Sequence, residues 1–171
     1  MIKQKAVFLD RDGVLNVERG DYTYLPEDFI LEEKVPEALA LLKENGFLLI
    51  VVTNQGGLAK ELFTRAQMQA CHQKLQQNCN NLIDAIYYAA AHPTVSASLA
   101  RKPDSLMLEK ALAKYNIAPE ISWMVGDQLR DMQAAEKAKV PGILVGPHPA
   151  GTYPRQFKNS WAATQFIVNQ K

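Results

Sequence analysis

Cysteine occurs only at positions 71 and 79, and histidine three times, in a chain of 171 residues. Two thiols make no disulfide framework. Eight positions apart on one helix they would sit about 12 Å apart, beyond disulfide reach. They are read as core-facing thiols. An excess of one charge is missing too: 19 Lys and Arg stand against 18 Asp and Glu, a formal +1. That balance excludes the basic footprint of a non-specific nucleic-acid binder. Unbroken apolar runs such as residues 47–52 fall far short of the ~20 residues of a membrane span. The N-terminal MIKQKAVFLDRDG has too short an apolar stretch for a signal peptide, so a cytoplasmic protein is expected. Repeats, low-complexity tracts and linkers are lacking. Disorder is excluded by 47% hydrophobic residues at low net charge.

What the sequence does contain is alternation. A chain of this length buries a sizeable core without staples, so residues 1–171 are expected to form a single domain. Strands are predicted at residues 6–9, 47–53, 83–88, 121–125 and 142–145, with a last one at 166–168. FLLIVVT, at 47–53, is apolar on both faces, as a central parallel strand must be. Helices are predicted at 35–45, with Pro36 in the first turn and Gly46 as the stop, and at 105–115 and 128–139. A further helix begins at Thr64 as N-cap and carries Met68, Cys71, Leu75 and Cys79 on one stripe. The pattern reads as α/β: one Rossmann-like, doubly wound parallel sheet without a large cap domain. Residues 16–33 are too long for a plain connector and read as a functional loop. Residues 92–103 are irregular.

Four places carry chemistry. Asp10-Arg11-Asp12-Gly13 ends the first strand, and period-two geometry sends Asp10 and Asp12 to one side with Arg11 pointing away. Two carboxylates so placed repel unless a cation or a proton joins them. Gly13 allows a sharp turn there. Thr53-Asn54-Gln55-Gly56-Gly57 closes the second strand and offers a hydroxyl and amides to phosphate oxygens. Arg101-Lys102-Pro103 precedes a helix. Asp127 ends the SWMV strand, with Asp131 four residues on.

Asp10, Thr53 and Asp127 all fall at carboxyl ends of predicted parallel strands, where open α/β sheets build their sites. Together these residues suit phosphoryl transfer. Hydride transfer is disfavoured by the lack of G-x-G-x-x-G. Ser-His-Asp hydrolysis lacks its G-x-S-x-G elbow, and His72, His92 and His148 fall in no triad pattern.

FLDRDGVLN, VVTNQGGLA, RKP and MVGDQLRDMQAA, in that order, resemble the four motifs of the haloacid dehalogenase superfamily of phosphatases. Within it the chain is similar to the small branch of heptose bisphosphate and histidinol-phosphate phosphatases. The resemblance implies that Asp10 is the nucleophile and Asp12 the acid and base. It implies Mg²⁺ on the Asp10 and Asp127 side chains and the Asp12 main-chain carbonyl. Thr53 and Lys102 would bind phosphoryl oxygens with Asn54 assisting, and Arg101 would contact substrate. Asp131 would orient Lys102 or a water, with Gly13 and Gln55 supporting. The implied activity is removal of the 7-phosphate of D-glycero-D-manno-heptose 1,7-bisphosphate, in lipopolysaccharide precursor synthesis. Histidinol phosphate or another small phosphoester is the alternative substrate. A non-catalytic phosphoester-binding protein is a remoter alternative, against which the intact acidic set stands. The expected partner is a small phosphorylated substrate, with no nucleic acid and no membrane, and the expected state is a monomer.

Two departures stand out. The branch carries Cys-x-His and Cys-x-Cys zinc ligands before Arg-Lys-Pro, where this chain has Ala89, Ala91, Ser98 and Ala100. Zinc is therefore expected to be absent, with the loop held by packing. The family's Gly-Asp-Lys is Gly-Asp-Gln at Gln128, which removes a cation near the metal.

Overall fold

The segment 47–54 becomes a strand buried along nearly its whole length in the computed structural model, which describes residues 3–170. Six strands, β1 (Lys5–Leu9), β2 (Phe47–Asn54), β3 (Ala85–Ala89), β4 (Trp123–Gly126), β5 (Gly142–Val145) and β6 (Gln156–Phe157), form one sheet. Its order is β3-β2-β1-β4-β5-β6, and every pairing is parallel. The chain thus winds outward from β1 in one direction and then in the other. This places the switch between β1 and β4, where such sheets open a crevice.

Five helices cover the sheet: α1 (Val35–Glu44), α2 (Arg65–Asn78), α3 (Leu106–Lys114), α4 (Leu129–Lys137) and α5 (Ser160–Val168). Strand alternation decides which face each buries. Val7, Leu9, Leu49 and Val51 pack with Leu39 of α1, Leu75 of α2 and Ile167 of α5. Ala6, Phe8, Ile50 and Val52 pack with Leu108 of α3 and Ala135 of α4. Thr64 caps α2 in a reciprocal box: its hydroxyl accepts from Gln67 N at 3.2 Å, and its own N donates to Gln67 Oε1 at 2.8 Å. Cys71 and Cys79 are buried free thiols. No helix among the described residues is long and apolar enough to cross a membrane.

Three strand assignments are corrected. Residues 166–168 close α5 instead of forming a strand, because Asn159 caps that helix by accepting from Ala162 N at 3.0 Å. The sixth strand is the two-residue β6, too short and half-buried to show a period. Ile121 lies in the 3-10 turn Pro119–Ile121, half exposed, so β4 starts at Trp123.

Candidate active site

Parallel pairing brings the strand ends together. Leu9 of β1 lies opposite Val51 of β2 and Val125 of β4, so Asp10, Thr53 and Asp127 emerge from adjacent strands at one sheet edge. Asp10 N donates to Val125 O at 3.0 Å, which ties the residue to the end of β4. The chain then turns through Gly13 at φ +79°. A Cβ there would stand 2.4 Å from Asp127 Oδ2, so only glycine lets the two segments approach this closely.

Lys102 is the hub. Its Nζ, fully buried, reaches Asp10 Oδ1 at 2.9 Å, Asp131 Oδ1 at 2.7 Å and Val52 O at 2.8 Å. Three donors meet three acceptors. Asn54 fixes the Lys102 main chain reciprocally: Asn54 Nδ2 donates to Lys102 O and Lys102 N donates to Asn54 Oδ1, both at 3.0 Å. Asn54 thereby holds the Lys102 main chain in place beside the cleft that it also lines.

Asp10, Asp127 and Asp131 offer carboxylate oxygens within 4.8 Å of one another, all buried. Burial and the charges of Asp131 and Asp127 raise Asp10 to about 7, against the lowering pull of Lys102. Asp127 is raised by burial and then by Asp131, while a hydrogen bond from Gln128 opposes the rise. Burial lowers the pKa of Lys102, but Asp10 and Asp131 outweigh it and hold the ammonium above its ordinary value. One ammonium among three carboxylates leaves net negative charge in a buried place. Hard oxygen donors so arranged fit a divalent cation such as Mg²⁺.

Arg11 does not point away from Asp12, contrary to the strand geometry expected above. The strand ends at Leu9, so period two no longer applies, and the fully buried Arg11 turns its guanidinium onto its neighbour. Its NH2 lies 2.9 and 3.0 Å from the two Asp12 oxygens and donates to Thr23 O at 2.8 Å. Asn16 Nδ2 donates to Asp12 Oδ1 at 2.9 Å, and Gln55 Nε2 to Asp12 Oδ2 at 3.3 Å and to Thr53 Oγ1 at 3.0 Å. Gln55 therefore joins the β1 and β2 motifs.

A cleft of about 370 Å³ opens here, lined by Asp10, Asp12, Thr53 and Asn54, by Glu18, Gly20, Asp21 and Tyr22 of the 16–33 loop, and by Arg130. That loop is closed at its base by Val17 N to Ile30 O at 2.9 Å and Glu32 N to Leu15 O at 3.0 Å. Arg101 lies beside it, donating to Ala91 O at 3.1 Å.

In the 92–103 loop Ala100 packs against the core while Val95 and Leu99 are exposed. Turns also hold it: Val95 N and Ser96 N donate to His92 O, and Arg101 N to Ser98 O.

Sequence reasoning missed Arg130, His148 and His72. His148 Nε2 lies 2.8 Å from the Asp127 carbonyl. His72 Nε2 lies 3.5 Å from Arg11 NH1, behind Asp12. Neither shows a local motif. Arg130 sits inside the fourth motif, one residue before Asp131 and on the first turn of α4, and that placement was readable. Gln128 donates to Asp127 Oδ2 at 2.9 Å, so an amide occupies the place expected of a cation.

Comparison with known proteins agrees with this geometry. The profile of the haloacid dehalogenase-like hydrolases matches residues 24–145. A D-glycero-beta-D-manno-heptose-1,7-bisphosphate 7-phosphatase of Haemophilus ducreyi is 40% identical over 146 residues, 80% of each chain. The Escherichia coli K12 protein of that name is 40% identical over 144 residues, 79% of this chain and 75% of that one. The crystal structure of D,D-heptose 1,7-bisphosphate phosphatase from B. bronchiseptica, complexed with magnesium and phosphate, superposes with a TM-score of 0.87 at 29% identity. The match covers 96% of this chain and 98% of that one. With its parallel sheet and strand-end carboxylates, the chain belongs to the haloacid dehalogenase-like hydrolases and is one of their phosphatases.

Proposed function

We propose that this protein removes the 7-phosphate of D-glycero-β-D-manno-heptose 1,7-bisphosphate through a phosphorylated Asp10. The observation that carries the reading is the buried contact of Lys102 with both Asp10 and Asp131, next to Asp127. The substrate is taken from the names of relatives that are 40% identical.

Phosphate monoesters are among the slowest hydrolyses known, so the site must supply a large share of its help as charge stabilisation. Lys102 and Thr53 bind the non-bridging oxygens. The residues fit Mg²⁺ held by the Asp10 and Asp127 side chains and the Asp12 main-chain carbonyl. When bound, the ion offsets the repulsion between a carboxylate nucleophile and a phosphate dianion. Asp10 attacks phosphorus as the bond to the sugar oxygen breaks, and Asp12 gives its proton to the departing alkoxide. Water then attacks the phosphorus of the aspartyl phosphate, Asp12 takes up its proton, and Asp10 is released with inorganic phosphate. The hydrogen bonds around Asp12 from Arg11, Asn16 and Gln55 suit its carboxylate form, the one that accepts the proton. Zinc has no part in this scheme, because Ala89, Ala91, Ser98 and Ala100 cannot ligate it.

Purified protein with Mg²⁺ should release one phosphate from the bisphosphate, and phosphorus NMR should show the 7-phosphate resonance lost. Asp10→Asn should be inactive with an unchanged circular dichroism spectrum. Phosphate release by that variant would overturn the mechanism. Preference for histidinol phosphate over the heptose would overturn the substrate.

A further inference from the structure

Asp127 is held at its side chain and at its main chain, and the second hold comes from a segment that carries no motif. Its Oδ2 accepts from Gln128 Nε2 at 2.9 Å. Its carbonyl lies 2.8 Å from His148 Nε2. A carbonyl only accepts, so Nε2 carries the hydrogen and the ring is the donor. That carbonyl has need of one. β4 ends at Gly126, and the Gln128 carbonyl accepts from Asp131 N at 3.0 Å as α4 begins. The Asp127 carbonyl falls between the two, past the sheet ladder and ahead of the helix, in a residue that is itself buried.

His148 is in turn set in place by its own segment. Residues 146–155 connect β5 to β6, and Leu144 N and Gly146 N close the base of that connection on Arg155 O and Phe157 O, at 2.9 and 3.1 Å. Gly146 turns at φ +107°, a conformation open to glycine. His148 N donates back to Gly146 O at 2.9 Å, which tightens the turn over three residues. From β6, Gln156 Nε2 donates to His148 O at 2.9 Å and to Pro149 O at 3.2 Å. The ring thus meets Asp127 from a main chain fixed on both sides, with little freedom left to lose.

We propose that His148 is a positioning residue of the metal site: by holding the Asp127 main chain, it aims the Asp127 carboxylate at the place where Mg²⁺ would bind. The proposal rests on the reading of Asp10 and Asp127 as metal ligands. His148 does not line the reaction cleft, so it acts through Asp127. The short β6 gains a use in this way, because Gln156 connects it through His148 to the reacting edge of the sheet.

Calorimetry of Mg²⁺ binding at pH 8, without substrate, tests this. Loss of an outer partner of a metal ligand weakens the metal about 10–100-fold, so His148→Leu should bind Mg²⁺ at least about tenfold more weakly. His148→Gln keeps an N–H donor near the place of Nε2 and should stay within about threefold of wild type. Metal-free melting temperatures should be alike in the two variants, which separates affinity from folding. In wild type carrying ¹⁵N-histidine, the His148 Nε2 resonance should shift on adding Mg²⁺, a readout that needs no variant. An unmoved resonance, wild-type affinity in His148→Leu, or equal loss in both variants overturns the proposal. A wild type that binds no Mg²⁺ overturns it together with the metal assignment. Mg²⁺ binding in this pattern without turnover of the heptose supports His148 and counts against the proposed activity alone.

Discussion

Lys102 and Asp131 meet at 2.7 Å with both side chains withdrawn from solvent. The same ammonium reaches Asp10 at 2.9 Å, so a loop residue links the tip of β1 to the first turn of α4. Desolvating an ammonium and two carboxylates offsets much of their mutual attraction, and apolar residues of like volume could pack this space as well. Fold stability is therefore a weak reason for the cluster. Placing a cation against Asp10 is a strong one.

Breaking the pair from one side should be costly. Asp131→Ala leaves Lys102 buried with a single carboxylate, and a loss of about 3–5 kcal/mol in urea unfolding is expected. Activity at saturating Mg²⁺ should fall about 10–100-fold, as when an outer partner of a metal site is removed. A variant with wild-type kcat would show that Lys102 needs no second carboxylate to hold its place.

Magnesium and protons should compete for Asp10. Its pKa in the metal-free fold is about 7, raised by burial and by Asp131 and Asp127, against an ordinary value of 3.8. Between those two values the folded state binds more protons than the unfolded one, so this group's contribution to stability falls as pH rises through the window. Metal binding must displace that proton below pH 7. Mg²⁺ affinity should therefore increase about tenfold per pH unit up to 7 and level off above it. Calorimetry in buffers of different ionisation enthalpy should find close to one proton released at pH 6 and far less at pH 8. Equal release at both would contradict the raised carboxyl.

Much of this site was legible in the sequence because its residues lie at strand ends, and strands announce themselves. FLLIVVT marks β2 and so places Thr53, and the DRDG and GDQ turns follow directly on apolar runs. Once β1 is taken as central between β2 and β4, the crevice follows. What escaped were contacts made across the fold. Arg11 turning onto Asp12, Asn54 clamping Lys102, and His148 touching the Asp127 carbonyl depend on loops meeting far apart in sequence. No local period encodes such meetings. The end of the chain misled for another reason: Phe166-Ile167-Val168 has strand-like residue types, but the Asn159 cap fixes a helix before they are reached.

The loop before Arg101 supports a prediction about metal content. Its turns close on backbone hydrogen bonds, and Ala89, Ala91, Ser98 and Ala100 bring neither thiolate nor imidazole. Protein purified without chelator should contain far less than one zinc per chain by elemental analysis. Treatment with EDTA followed by Mg²⁺ alone should restore full activity without shifting the melting temperature. One equivalent of zinc, or recovery only on adding zinc, would show that other residues build the site.

His72 supplies the remaining prediction, through the residue it supports. It sits on α2 with Nε2 facing the guanidinium of Arg11, which in turn grips Asp12. Burial first, then the Arg11 charge, push its pKa from 6.5 down to about 4, with Asp12 opposing. A neutral ring presents a lone pair to Arg11, whereas a protonated one would set two cations face to face. Because the folded pKa is depressed, this group's stability contribution is fully present above pH 6.5 and is lost as pH falls toward 4. Comparing wild type with His72→Gln cancels the opposing slope of Asp10. The stability advantage of wild type over the variant should be roughly 2–3 kcal/mol larger at pH 7.5 than at pH 4.5 by chemical denaturation. The ring's NMR titration should show a midpoint near pH 4. A midpoint near 6.5 would mean that the ring faces water instead of Arg11, and Thr23 O would then hold the Arg11 guanidinium behind Asp12 without the ring.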